Sequence, residues 1–233
     1  MNGKFSRRSL LRGMSSGAAV LLFRQRLAFA QMGGPRVGPV GVELSLFEVN
    51  PQILRITVAA NDVNLDGIYG DGSLTAKSWP KPILKAQTSS PAGPISWGKR
   101  KIEIGQEPFR ITVREAEGRV RQELRFEESH ASVSFLYGNG PVFGLGEGVH
   151  PLDRRGTRDG MRNGQAGGDL RTFGARVPIP WLIGADGWGL FFHEPWGSFD
   201  LTGETGIFRP EDSPRAKDIF LVLGETPAQL MRA

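Results

Sequence analysis

Short segments in which apolar and polar residues alternate recur along the chain. Val40, Val42, Leu44 and Leu46 are separated by Gly41, Glu43 and Ser45, and Leu54, Ile56 and Val58 by Arg55 and Thr57. Phe109, Ile111 and Val113 alternate with Arg110, Thr112 and Arg114. Val120, Leu124 and Phe126 then share one face, leaving Arg119, Arg121, Glu123 and Arg125 on the other. Strict alternation places one face on a core and one toward water, the pattern of antiparallel strands. Between the last two segments, Glu115-Ala116-Glu117-Gly118 predicts a hairpin turn whose glycine takes a positive φ. Further strands are expected at 101–104, 132–137, 180–183, 187–193, 207–208 and 219–223. No segment between residues 31 and 225 shows a helical period. The expected architecture is all-β, an antiparallel β-sandwich filling residues 40–225 as one domain.

Two stretches interrupt this pattern. Residues 61–78 and 146–171 read as long polar loops, the second rich in Gly, Arg and Asp. Loops of that length inside a compact domain are usually functional or disordered. At the other end, Gly224-Glu225-Thr226-Pro227 closes a strand and opens a helix, with Thr226 as N-cap and Pro227 at the first helical position. Residues 226–233 are thus expected to be the start of a helix, and the chain reads as cut off where a new element begins.

The first thirty residues follow a different logic. Arg7 and Arg8 stand before an uncharged stretch from Met14 to Phe23, too short for a membrane span of about 20 residues but sufficient for a signal peptide. Ala28-Phe29-Ala30 is a small-x-small cleavage site. Arg24 and Arg26, between the apolar stretch and that site, favour the twin-arginine export machinery as a partner. Residues 1–30 are therefore expected to be a twin-arginine signal peptide, residues 31–39 a flexible lead-in, and the destination the periplasm or the extracellular space. No stable membrane anchor is expected.

That assignment changes the charge. Residues 1–30 hold Lys4, Arg7, Arg8, Arg12, Arg24 and Arg26, leaving 23 of the 29 basic residues against 24 acidic ones, a net charge of −1. A nucleic-acid partner calls for a basic domain, so that role is set aside. With no cysteine and three histidines, His130, His150 and His193, none spaced as a helical metal pair, no disulfide, thiolate or Cys-ligated zinc is available. No cofactor is implied.

Candidate chemistry is sparse. Asp62, Asn64, Asp66 and Gly67 match the opening of a calcium loop, but Ser73 stands where a bidentate Glu completes one, so no tight calcium site is expected. Glycoside hydrolysis needs two carboxyl groups across the bond; Glu147, Asp153, Asp159, Asp169 and Glu194 are the candidates, each with surface solvation as its ordinary reading. Of the aromatic residues between 181 and 199, Trp181, Phe191 and Phe199 are assigned to the core, while Trp196 is divided evenly between core and rim. His193-Glu194 reads as a strand-end histidine beside a solvated glutamate.

From Val142 onward the chain resembles glycoside hydrolase family 31, the retaining α-glucosidases and α-xylosidases. The resemblance rests on Phe143-Gly144-Leu145-Gly146-Glu147, Leu152-Asp153-Arg154-Arg155-Gly156, Met161-Arg162-Asn163-Gly164-Gln165 and Val177-Pro178-Ile179-Pro180-Trp181. It continues through Gly187–Phe192, Ser198–Leu201 and Phe220–Pro227. It implies a galactose-mutarotase-like N-terminal sandwich, followed in the family by a (β/α)8 barrel that carries the catalytic aspartates. No catalytic residue is therefore expected within residues 1–233. The family's sandwich sends a loop into the substrate pocket, and Arg162, Asn163 and Gln165 match that loop as substrate-binding residues. Many members carry Trp at the position of Arg162 and Asp at that of Gln165. The expected partners are a carbohydrate, an α-glucoside or α-xyloside, and a catalytic barrel. The competing expectation is a stand-alone exported carbohydrate-binding sandwich without catalysis.

Overall fold

The structure is a computed structural model. It describes residues 34–37, 40–63, 74, 78–87, 91–127, 132–147, 151–162, 177–194, 196–211 and 216–233. The predicted signal peptide at 1–30 and most of the Asp62–Gly67 loop lie outside these residues.

Sixteen strands form among the described residues. They are β1 (Arg36–Val37), β2 (Val40–Asn50), β3 (Ile53–Ala60), β4 (Leu84–Ala86), β5 (Ile95–Trp97), β6 (Arg100–Gln106), β7 (Phe109–Arg114), β8 (Val120–Phe126), β9 (Val133–Phe135), β10 (Val142–Gly144), β11 (Arg158–Gly160), β12 (Trp181–Gly184), β13 (Trp188–Phe192), β14 (Gly197–Asp200), β15 (Gly206–Pro210) and β16 (Ala216–Leu223). Every pairing is antiparallel. One sheet runs β1-β2-β3-β16-β13-β12-β10 with β4 beside β2, and the other runs β11-β14-β15-β9-β8-β7-β6-β5.

The alternation in the sequence explains how the two sheets meet. Leu44, Leu46, Leu54, Ile56, Leu190, Phe192, Ile219 and Leu221 point inward from the first sheet. Ile102, Phe109, Ile111, Val113, Leu124, Phe135 and Phe208 point inward from the second, and all belong to one buried cluster. Aromatic pairs stitch the layers together. Phe192 of the first sheet lies 4.6 Å from Phe208 and 5.8 Å from Phe135 of the second, centroid to centroid. Offset and tilted ring pairs of this kind add to area burial.

Where polar residues face inward, their bonding groups are satisfied. Gln122 is buried, and its amide bonds to both Leu136 N–H and Leu136 C=O at 2.9 Å, continuing the β8–β9 ladder with a side chain. The predicted hairpin forms: Gly118 has φ +91° and its N–H donates to Glu115 C=O at 2.9 Å. A helical turn, Pro227–Leu230, follows β16. Thr226 caps it through Oγ1 to Gln229 N–H, while Gln229 Oε1 accepts from the N–H groups of Glu225 and Thr226, a reciprocal capping box. Leu230 is buried against Ile183, Val222, Ile53 and Trp181. Among the described residues, no helix is long and apolar enough to cross a membrane.

Several expectations are corrected. The stretch 146–171 is not one continuous loop, since β11 pairs with β14 inside it and Met161 is fully buried. The lead-in holds β1, paired with β2 at Arg36↔Gly41 and Val37↔Val40. Trp181 and Phe191 are half-buried on the outer face of the first sheet, because the register turns Phe192 and Trp188 inward instead. Phe199 is core as expected, and Trp196 stands on the rim at 43% exposure.

Candidate functional site

The motif 143–147 forms a tight turn that leaves β10. Gly144, Leu145 and Gly146 all adopt positive φ, at +116°, +63° and +77°. A Cβ on Gly144 would stand 2.1 Å from Trp181 O, and one on Gly146 would stand 1.9 Å from Val177 O, so only glycine fits at either position. Leu145 takes the left-handed conformation with a side chain, which costs about 1–3 kcal/mol. Its complete burial and its N–H bond to Trp181 O at 2.8 Å hold it there.

Arg154 laces this turn from below. Its side chain is almost completely buried and donates from Nε to Gly144 O at 2.9 Å and from Nη2 to Gly146 O at 3.4 Å; Nη1 lies 3.8 Å from Asp159 Oδ2. Asp159 is buried too, correcting the reading of that carboxylate as solvated. Asp153 accepts from Val142 N–H at 3.1 Å and forms a forked ion pair with Arg155. Hydrogen bonding from Arg155 holds the Asp153 carboxyl well below the usual carboxylate range. Two motifs separated along the chain are thereby joined into one frame.

This frame pins both ends of the segment 163–176. On the outgoing side, Met161 is buried and its N–H donates to Gly197 O at 2.8 Å. Arg162 is exposed and ion-paired to Glu211. On the returning side, Val177 bridges Glu147, whose N–H donates to Val177 O at 3.0 Å. Of the three predicted substrate-binding residues, Arg162 stands at the exit of this frame. Asn163 and Gln165 lie outside the described residues.

A second constellation covers the outer face of the first sheet. The β2–β3–β16–β13 registers line up Ser45, Thr57 and Asp218 in one row and Phe47, Arg55, Phe220 and Phe191 in the next. Arg55 grips Asp218 through Nε at 2.8 Å and Nη2 at 2.6 Å, with both side chains essentially inaccessible. Thr57 Oγ1 donates to Asp218 at 3.2 Å, and His193 Nδ1 lies 2.9 Å from Asp218 Oδ2. The Trp79 ring lies 4.1 Å from the Arg55 guanidinium, a cation–π contact in a desolvated place. Burial alone would raise the Asp218 pKa, but hydrogen bonds from His193 and Arg55 overcome it and hold the carboxyl below its ordinary value.

His193 therefore partners Asp218, not Glu194 as the local sequence suggested. Glu194 faces Lys217, whose pKa burial lowers to about 8, with Glu194 opposing the shift. The described candidates for a glycosidase pair are thus mostly committed locally: Asp153 to Arg155, Asp159 to Arg154, Glu194 to Lys217. Among the described residues, no group of three or more His, Asp or Glu side chains is placed to hold a metal ion.

The profile of the glycosyl hydrolase 31 N-terminal galactose mutarotase-like domain matches residues 43–200. The chain belongs to this family. The GH31 match spans both constellations except Asp218 and ends at β14. Among solved structures, a GH31 dextranase from Flavobacterium johnsoniae, complexed with isomaltotriose, superposes with a TM-score of 0.60 at 15% identity, covering 79% of this chain and 24% of that one. The cycloalternan-forming enzyme of Listeria monocytogenes, in complex with a pentasaccharide substrate, gives 0.55 at 15% identity, over 78% of this chain and 18% of that one. A GH31 α-xylosidase from a soil metagenome, complexed with xylose, gives 0.55 at 16% identity, over 82% and 31%. These likenesses concern the fold, and the chain spans less than a third of each structure. No sequence among curated proteins matches it.

Proposed function

We propose that this chain is the N-terminal, carbohydrate-contacting domain of an exported GH31 α-glycoside hydrolase. Its catalytic carboxylates would lie on a (β/α)8 barrel outside residues 1–233, and its substrate would be an α-glucoside or α-xyloside. The observation that carries this reading is the frame around the segment 163–176. A buried arginine, three positive-φ residues in succession and a bridge at Glu147–Val177 are an elaborate way to hold a surface connector. They suit a loop whose tip must meet a ligand. The sugars in the neighbouring structures support the ligand class. In this reading Arg162, Asn163 and Gln165 touch the sugar and fix its orientation, while bond cleavage belongs to the barrel.

The test fuses the chain to a GH31 barrel and replaces Asn163 and Gln165 with Ala. A fall in kcat/KM of tenfold or more on aryl α-glycosides is expected; an unchanged value refutes the loop's role. Turnover by the chain alone would place catalysis elsewhere. Export rests on Arg7 and Arg8: changing both to Lys should retain the precursor in the cytoplasm, and normal processing of that variant would refute the twin-arginine route.

A further inference from the structure

The β11 edge of the second sheet carries a groove on its outer face that the loop reading does not use. In-register pairing of β11, β14 and β15 sets the outward residues in rows: Arg158, Asp200 and Ile207, then Gly160, Ser198 and Arg209. One step further, beyond the strands, the same alternation brings Arg162, Trp196 and Glu211 outward, with Glu211 N–H bonded to Trp196 O at 3.2 Å and Arg162 ion-paired to Glu211. The residues between these positions, Asp159, Met161, Phe199 and Phe208, are buried. An open groove of about 380 Å³ lies over the first two rows. Its floor is Gly160, where no described atom comes within 4 Å of the place a Cβ would occupy.

The chemistry of this groove is specific. Asp200 sits between Arg158 at 3.0 Å and Arg209 at 3.8 Å, and the Thr202 hydroxyl donates to it at 2.6 Å. The site thus offers a fixed carboxylate, two guanidinium edges and the Ser198 hydroxyl around a glycine gap. Beside it stands a large indole with 43% of its surface open. An anionic ligand entering here meets Asp200 and Glu211, so a phosphate or a nucleic acid is poorly matched. A neutral polyol with an apolar face is well matched: rings stack on indole, and paired charges both donate to and accept from vicinal hydroxyls. Rows two residues apart along a strand are about 6.7 Å apart, room for one pyranose on the indole and a second over Gly160.

We propose that this groove is a sugar-binding shelf for two residues of a neutral oligosaccharide, one stacked on Trp196 and the next seated over Gly160 against Arg158, Ser198 and Asp200. It is separate from the 163–176 loop and does not depend on a barrel. Because an open groove leaves most of a ligand in water, its affinity should be weak, in the millimolar range.

The experiment titrates the 15N-labelled chain with isomaltotriose, maltotriose and xylotriose, following the five tryptophan indole resonances, with Trp196 assigned by Trp196→Phe. At least one trisaccharide should shift the Trp196 resonance in a saturable way. Gly160→Leu, which fills the groove at an ordinary φ, should abolish the shift without moving the unfolding midpoint, and Trp196→Ala should abolish binding measured by calorimetry. Asn163→Ala should leave the titration unchanged. A Trp196 resonance that ignores all three sugars at tens of millimolar overturns the shelf, as does binding that survives Gly160→Leu. Binding lost with Asn163→Ala but kept with Gly160→Leu also overturns it while leaving the loop reading standing.

Discussion

Replacing Asp218 with Leu would leave the Arg55 guanidinium buried, with a ring face 4.1 Å away and no carboxylate. Both side chains have 0–1% exposure, so solvent cannot compensate. Removing one partner of such a pair costs about 3–5 kcal/mol, chiefly the penalty of the stranded charge. In a domain of this size each kcal/mol moves Tm by about 2–4 °C, so a fall of roughly 6–20 °C is expected. The double variant Arg55→Met with Asp218→Leu removes the stranded charge and should recover most of the loss, since apolar replacements of buried pairs are often neutral. The exposed pair Arg119–Glu117, 3.8 Å apart, is the contrast: Glu117→Ala should change stability by less than about 1 kcal/mol. Equilibrium urea unfolding of the four proteins, read by tryptophan fluorescence and circular dichroism, measures all of this. Acid provides a second arm. The Asp218 carboxyl is held below its ordinary value, so its contribution is fully present above the unfolded carboxylate pKa of about 3.9 and is lost as pH falls through the folded value. Asp218→Leu should flatten that acid limb. An Asp218→Leu protein within 1 kcal/mol of the parent would refute the reasoning, and so would a double variant no more stable than the single.

Gly146→Ala should unfold the turn after β10, because its Cβ would meet Val177 O at 1.9 Å at a φ of +77°; a cost above about 2 kcal/mol is expected from clash and conformation together, checked by thermal melting. Arg154→Met should lower stability by about 2–4 kcal/mol through three lost contacts and a stranded Asp159, and should raise proteolytic cleavage within 163–176. Lys217, with its pKa lowered to about 8 by burial, binds fewer protons folded than unfolded between pH 8 and about 10.4. Stability should therefore rise with pH across that window, and Lys217→Met should remove the rise; an unchanged slope would count against the assignment.

The long alternating strands were legible because five or more residues are enough to display a period. β2, β3, β7, β8 and β16 all contain the predicted segments. β4, β5, β10 and β11 have three residues each, too few for any period, and the Arg-Asp-Gly composition of β11 reads as a loop. Its Asp159 is buried only because Arg154 approaches from a turn, which no local pattern encodes. The adjacent Phe191 and Phe192 show a second limit. Alternation says that one faces inward, and the pairing of Phe192 with Ile219 decides which. At the candidate site, glycine spacing revealed the turn around Leu145. The partnerships that give the site its shape, Arg162 with Glu211 and His193 with Asp218, span 49 and 25 residues. Only sheet topology brings them together.

The position of β16 bears on how the molecule comes into being. This last strand lies between β3 and β13, pairing Ala216 with Ala59 at one end and Val222 with Ile53 at the other. During synthesis, β3 must wait some 160 residues for its neighbour, and its hydrogen-bonding edge stays bare while the intervening chain emerges. Contacts of such separation slow folding and leave unpaired edges open to aggregation. Assembly of the first sheet is therefore a late event, and a ribosome stalled before residue 216 would hold a chain with Leu54, Ile56 and Val58 ready to pair with whatever strand it meets first.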